Sequence, residues 1–282
     1  MVEKGKTVVF TASPDPDYLV DSWSITGAGF EADTGTPGNS VAKVNVTGNF
    51  TIGISFIPIV YTQVAYTDLE NHLATAASAE GVNYIEITGS IPSADFAGEY
   101  SNPGVLCQKI KAASSKKVAL KLPSTVEGLT DMTYCFLNCE NLVSVANIPQ
   151  TVTNMDSCFY GCRGLTQAPP IPEGVLEMGW CFYDCRQLDR GPDIPLSVTD
   201  MRYCFADCIS LTGVKLNCAY SSAVIDEDLQ AFQILFRNCM LEKGGVKVPS
   251  AHYAAYTSAE ALTKMQVPGT DYEDKKARFA SF

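Results

Sequence analysis

Eleven cysteines are the residues of this 282-residue chain best equipped for chemistry, and eight of them form four Cys-x-x-x-Cys pairs: Cys135/Cys139, Cys158/Cys162, Cys181/Cys185 and Cys204/Cys208. Two neighbouring pairs would offer four thiolates, the set a structural zinc ion takes. Their surroundings argue against it. Each pair sits among Met, Phe and Leu, and apolar burial disfavours the thiolate that zinc or nucleophilic chemistry needs. Turns stacked about 4.8 Å apart would bring Cα atoms within disulfide range, but in-register side chains point in parallel and hold their sulfurs too far apart. The expectation is reduced, buried thiols acting as small hydrophobes, with no metal and no cofactor.

The rest of the chain offers catalysis little. His72 and His252 are its only histidines; neither belongs to a metalloprotease, nucleophile-elbow or Cys-His signature, and both read as exposed helix residues. Gly27-Ala-Gly29 half-matches a dinucleotide loop, yet a strand-like stretch precedes it and a Gly-Thr-Pro-Gly turn follows, so it reads as a hairpin turn. Asp226, Glu227 and Asp228 stand before LQAFQILF, where acids at a helix start explain them better than a metal site does. No catalytic residue is expected.

What positions the cysteines is a repeat. MTYCFLNCENL, MDSCFYGCRGL, MGWCFYDCRQL and MRYCFADCISL begin at Met132, Met155, Met178 and Met201, a constant 23 residues apart. Ile148-Pro149, Ile171-Pro172 and Ile194-Pro195 keep the same step, as do Val152, Val175 and Val198. A Leu-anchored period in this range is the mark of leucine-rich repeats, each unit giving a short strand and a compact return. The stretch from Leu to Ile-Pro is the strand side, and cysteines four apart share one face of a helical turn. One unit cannot bury its Met, Phe, Leu and Cys alone, so units must stack.

The lattice degenerates at both ends. Phe236-x-x-Cys239, 31 residues after Cys208, reads as a last turn with an eight-residue insertion. Upstream, TDLENHLATAASAEGVNYIEITGSIP reads as helix then strand, VLCQKIKAASSKK as helix, and Val118–Pro123 as strand. Beyond Pro249, SAHYAAYTSAEALTKM and EDKKARF read as helices covering the open edge. Residues 1 to 57 alternate Thr, Val, Ile and Phe between Asp-Pro-Asp and Thr-Pro-Gly-Asn turns, the grammar of a small all-β module with Trp23 as its core aromatic. The reading is therefore an α/β leucine-rich-repeat solenoid of short parallel strands with coil or helical returns behind a small all-β domain. Its parts are a spacer over 1–57, a junction over 58–66, and a solenoid over 67–282, comprising cap turns (67–130), regular repeats (131–217) and a C-terminal cap (218–282).

Composition limits the partners. With 46% hydrophobic and 18% charged residues the chain can bury a large core, and its net charge of -11 opposes nucleic acid and anionic membranes. No apolar run reaches a membrane span, and MVEKGKTVVF lacks the apolar core and cleavage site of a signal peptide.

The M-x-x-C-F-x-x-C-x-x-L units, the I-P-x-x-V-T-x-M joints and the V-P…A-Y stretch from Val248-Pro249 to Ala255-Tyr256 resemble BspA-type bacterial surface leucine-rich repeats over roughly residues 67 to 282. Many members of that family carry Ala-Phe where this chain has Cys-Phe. GKTVVFTASPDPDYLVDSWSITG with VNVTGNFTIGISF is similar to the bacterial modules related to internalin B-repeats, which serve as spacers. The resemblance implies a non-enzymatic, secreted or cell-surface adhesion module, anchored as a lipoprotein through a segment upstream of Met1 or carried in a longer chain. The partner it implies is a host matrix or cell-surface protein. The alternative is a glycan-capturing module for a separate catalytic domain.

Within the repeats, the variable residue before the first Cys is Tyr134, Ser157, Trp180 or Tyr203, and a second variable column holds Tyr160 and Tyr183. Facing outward, these aromatics would form a strip suited to protein or sugar; lying flat over the coils, they would stabilise stacking. Trp180, between Ser157 and Tyr203, is expected to leave a face open on the Ser157 side.

Overall fold

The computed structural model describes residues 4–12, 14, 18–32, 34–36, 41–226 and 229–282. It divides into two compact units, 1–60 and 61–282.

In the first unit the strands β1 (Thr7–Thr11), β2 (Tyr18–Thr26), β3 (Val41–Asn45) and β4 (Thr51–Pro58) pair as β1 with β3 and β2 with β4, both antiparallel. Alternation puts Val20, Ala42, Val44 and Val46 inside. Trp23, opposite Ile54, is half-buried. Residues 15–17 and 37–39 of the expected turns lie outside the described residues. Gly27 has a φ of +85°, and a Cβ there would strike the Asn49 carbonyl; among the described residues no helix follows, so Gly27-Ala-Gly29 is a turn and not a phosphate cradle.

The second unit is the solenoid. Strand β5 (Thr62–Ala65) falls within the segment read as a junction and starts a parallel sheet with β6 (Val82–Thr88), β7 (Lys117–Lys121) and β8 (Leu142–Val145). Helices α1 (Leu69–Thr75) and α2 (Val105–Lys111) return the chain between β5, β6 and β7. The side-chain amide of Asn141 donates to the carbonyls of Ile110, Ala113 and Lys116, tying the end of α2 to the first regular turn. His72 is half-buried on α1 rather than exposed.

A second parallel sheet follows, formed by β9 (Arg190–Ile194), β10 (Gly213–Leu216), a later strand over 246–248 and a last one over 279–281. Between the two sheets the turn over 165–171 contributes one bridge, Ser144 to Gln167. Pro169 and Pro170 have no N–H to give a ladder, which explains the interruption.

Asp226 ends the short strand β11 (Val224–Asp226), paired with β12 (Leu229–Gln230); Glu227 and Asp228 lie outside the described residues. LQAFQILF is therefore not a helix. Its apolar residues need burial more than helical pairing, and Phe232, Leu235 and Phe236 fill the last turn of the solenoid interior. Strand β13 (Val246–Val248), helices α3 (Tyr253–Tyr256), α4 (Ala259–Lys264) and α5 (Tyr272–Lys276), and strand β14 (Phe279–Ser281) then close the end. His252, half-buried, immediately precedes α3.

Across the core from the sheets, the Cys-bearing segments are not helical. Alternate N–H groups bond backwards within the turn, as from Cys135 to Met132 and Leu137 to Tyr134. The others reach forward into the next turn: Tyr134 to Asp156, Phe136 to Cys158 and Asn138 to Tyr160. The pattern recurs in every repeat and ends with Ile234 and Phe236 donating to Lys264 and Met265. At the opposite end Lys111 Nζ donates to the Leu137 carbonyl. Meeting these bonds sets Tyr134, Ser157, Trp180, Tyr203 and Ile234 at φ between 50° and 56°, a left-handed conformation uncommon outside glycine.

Candidate binding surface

The inward columns are packed solid. Phe136, Phe159, Phe182, Phe205 and Phe236 are buried and stack face to face, with centroids 5.3, 5.3, 5.6 and 6.2 Å apart. All eleven cysteines are buried free thiols. Burial pushes the Cys158, Cys162, Cys181, Cys185 and Cys204 thiols well above their ordinary range, the reverse of what a metal ligand or nucleophile needs. Among the described residues no three His, Cys, Asp or Glu side chains could hold a metal ion.

The second thiol of the last three pairs, together with Cys239, has a task that the sequence reading missed. Cys162, Cys185, Cys208 and Cys239 each donate Sγ–H to the carbonyl of the Phe one turn back, at 3.0, 3.2, 2.9 and 3.0 Å. The signal was a spacing of 26 from Phe136 to Cys162, repeated at Cys185 and Cys208 and stretched to 34 at Cys239, which becomes legible only once turns are known to stack.

The aromatics read as candidate contacts, Tyr134, Tyr160, Trp180, Tyr183 and Tyr203, are all half-buried on the outer side of these coils. They lie close together. Tyr160 stacks on Tyr183 with centroids 4.7 Å apart and planes 13° from parallel; Trp180 stacks on Tyr203 at 5.2 Å and 7°. Tyr100, from the cap, meets Tyr134 edge-on at 6.2 Å.

The expected open face of Trp180 is absent. Arg202 crosses Gly179, where a Cβ would press on both Arg202 and Asp156. Its guanidinium lies 4.8 Å from the Trp180 centroid and extends to Asp156, on the Ser157 side, at 3.9 Å. Asp200 anchors the same group at 2.8 Å. Arg237 stands 5.8 Å from the centroids of both Tyr183 and Tyr203, donates to the Tyr183 hydroxyl at 3.0 Å and pairs with Asp207. The glycine beside Trp180 was the only sequence sign of this crossing.

Burial, opposed by the pull of Arg202, pushes the Asp156 carboxyl up to about 6, with Asp200 and Glu177 adding to the rise. Asp200 is raised by burial too.

A stacked coil with a fixed interior and variable outer columns is the architecture of a repeat-protein scaffold, in which specificity is carried on the surface. Residues 113–242 match the BspA type leucine-rich repeat region in six copies, and those residues are repeats of that family. Its repeats are in general surface protein-binding units without catalytic activity. No curated protein matches the chain. The chain is similar to a leucine-rich repeat protein from Bacteroides ovatus of known crystal structure, at 19% identity and a TM-score of 0.29, over 82% of this chain and 55% of that one. It thus spans little more than half the length of that relative. Among the described residues no helix is long and apolar enough to cross a membrane.

Proposed function

We propose that this chain is a non-enzymatic bacterial cell-surface module that adheres to a protein partner, on a host surface or another cell, with the first unit as a spacer. The docking surface is the strip of Tyr134, Tyr160, Trp180, Tyr183 and Tyr203. The observation that carries the choice of a protein is the stacking of Trp180 on Tyr203 and of Tyr160 on Tyr183. A sugar packs against an aromatic face, but the faces of Trp180, Tyr183 and Tyr203 are engaged by neighbouring rings and by Arg202 and Arg237. What these three leave outward are ring edges and hydroxyls, which suit the mixed polar and apolar contacts of a protein interface. The glycan-capturing alternative draws no support from that geometry.

The test sets a panel of immobilised extracellular-matrix proteins beside a glycan array. Binding to a matrix protein that is lost in Trp180→Ala supports the reading. Binding confined to glycans would hand the strip to carbohydrate recognition.

A further inference from the structure

Charge is unevenly balanced around the strip. Beyond the second column, Arg163 and Arg186 answer Glu140 and Asp184. At the end of that column Arg237 answers Asp207. Beside the first column the balance fails: Arg202 pairs with Asp156 and Asp200, and among the described residues Asp131 and Glu177 make no ion pair. Asp131, Glu177 and Asp200 belong to one ladder of bridged residues running along the solenoid, with the neutral Asn154 between the first two. Asp131 and Glu177 are exposed. Asp156, Glu177 and Asp200 act on one another, since Glu177 disfavours the charge of both Asp156 and Asp200. Negative potential is therefore concentrated beside Tyr134, Trp180 and Tyr203, where the surface is otherwise aromatic.

Resting on the reading that the strip is the docking surface, we infer that its partner presents a basic polypeptide segment. Its Lys or Arg stems lie along the ring edges of Tyr134, Trp180 and Tyr203 and its cations sit against Asp131 and Glu177. Long basic side chains suit this place because their methylenes cover apolar edges while the charged end stays solvated. Opposite charge at the rim steers encounter and fixes register, whereas an acidic segment would meet uncompensated carboxylates.

The test uses the full chain with fluorescently labelled octalysine and octaglutamate, read by anisotropy at low and at physiological salt. Octalysine is expected to bind and octaglutamate not. Trp180→Ala and Glu177→Gln should each weaken octalysine at least fivefold, while Asp189→Asn, which removes an exposed acid at the start of the strand side, should change it less than twofold. Glu177→Gln leaves the ring stacking intact and keeps the test decisive if Trp180→Ala fails to fold. Octalysine binding that neither strip variant moves would reflect the net charge of -11 alone and would overturn the inference. Octaglutamate binding abolished by Trp180→Ala would overturn the basic partner while keeping the strip as the docking surface. No strip-dependent binding of either peptide, with a matrix panel equally insensitive to Trp180→Ala, would overturn both.

Discussion

The Cys185 thiol donates to the Phe159 carbonyl of the preceding turn at 3.2 Å, and the same carbonyl also accepts the Cys162 N–H at 3.0 Å. The second cysteine column is thus a ladder of side-chain donors threaded through the interior, as well as a set of small apolar fillers. Cys185→Ala removes sulfur and donor together. It should cost about 1 kcal/mol more than Cys181→Ala, the usual worth of one intramolecular hydrogen bond. Chemical denaturation of both variants measures the difference, and equal losses would reduce the ladder to packing.

Thiol reactivity should follow burial. A thiol reagent is expected to modify at most one or two of the eleven buried cysteines in the native protein, and nearly all in denaturant. Rapid native labelling of eight or more would contradict the packing described for the coils.

Phe159 and Phe182 each have a stacked ring on both sides. Truncating either to Ala should cost about 3 to 5 kcal/mol, the range for emptying a buried aromatic site. Their neighbours are held by other turns and have little freedom to collapse into the void. A melting temperature within a degree or two of the parent for both variants would contradict this.

Trp180→Ala should affect stability as well as binding. The ring packs against Tyr203 and the Arg202 guanidinium, contacts worth together about 1 to 2 kcal/mol. A parallel loss of at least tenfold in partner affinity is expected if Trp180 is the centre of the interface. Trp180→Phe keeps an aromatic ring in the stack and should recover most of the stability. Full stability in Trp180→Ala would mean that the ring contributes nothing to the fold.

The Asp156 carboxyl stands at about 6 in the folded protein against an ordinary 3.8. The folded state therefore holds this proton more tightly than the unfolded chain does. Its stabilising contribution is complete below about pH 4 and is lost as pH rises through about 6. Asp156→Asn should be more stable than the parent at pH 7, by up to about 3 kcal/mol, and this advantage should shrink towards pH 4. Melting curves of both proteins from pH 4 to 7 test the sign. An advantage for Asp156→Asn that grew on acidification would refute it.

The interior was legible in the sequence because stacking turns a period into columns. A step of 23 with Met, Cys, Phe, Cys and Leu at fixed offsets can be satisfied only by burying those positions together. The conformation of the coil was not legible. Cys135 and Cys139, four apart, suggest one face of a helix, but the residues between and before them, Tyr134, Phe136 and Asn138, are in fact held by forward hydrogen bonds to Asp156, Cys158 and Tyr160, a partnership that local spacing cannot reveal. The same holds for Arg202, whose reach over Gly179 to Asp156 joins three repeats. The break in pairing at Pro169-Pro170 emerges only from the sheet order. The aromatic columns were visible as types. Whether their faces or their edges point outward depends on ring planes, and these are set by packing between turns.

Because the forward bonds on the coil side all run from one turn to the next, their peptide dipoles add rather than cancel. The solenoid is therefore electrically polar along its axis, with acceptors exposed at the first turn and donors at the last. Lys111 on the Leu137 carbonyl and the Lys264 and Met265 carbonyls facing Ile234 and Phe236 are complementary terminators of that polarity. The two ends are chemically unlike and cannot be exchanged. A graft of extra 23-residue units into the middle of the array would keep both terminators in service, whereas the same units added beyond Met265 would leave a row of amide hydrogens without acceptors.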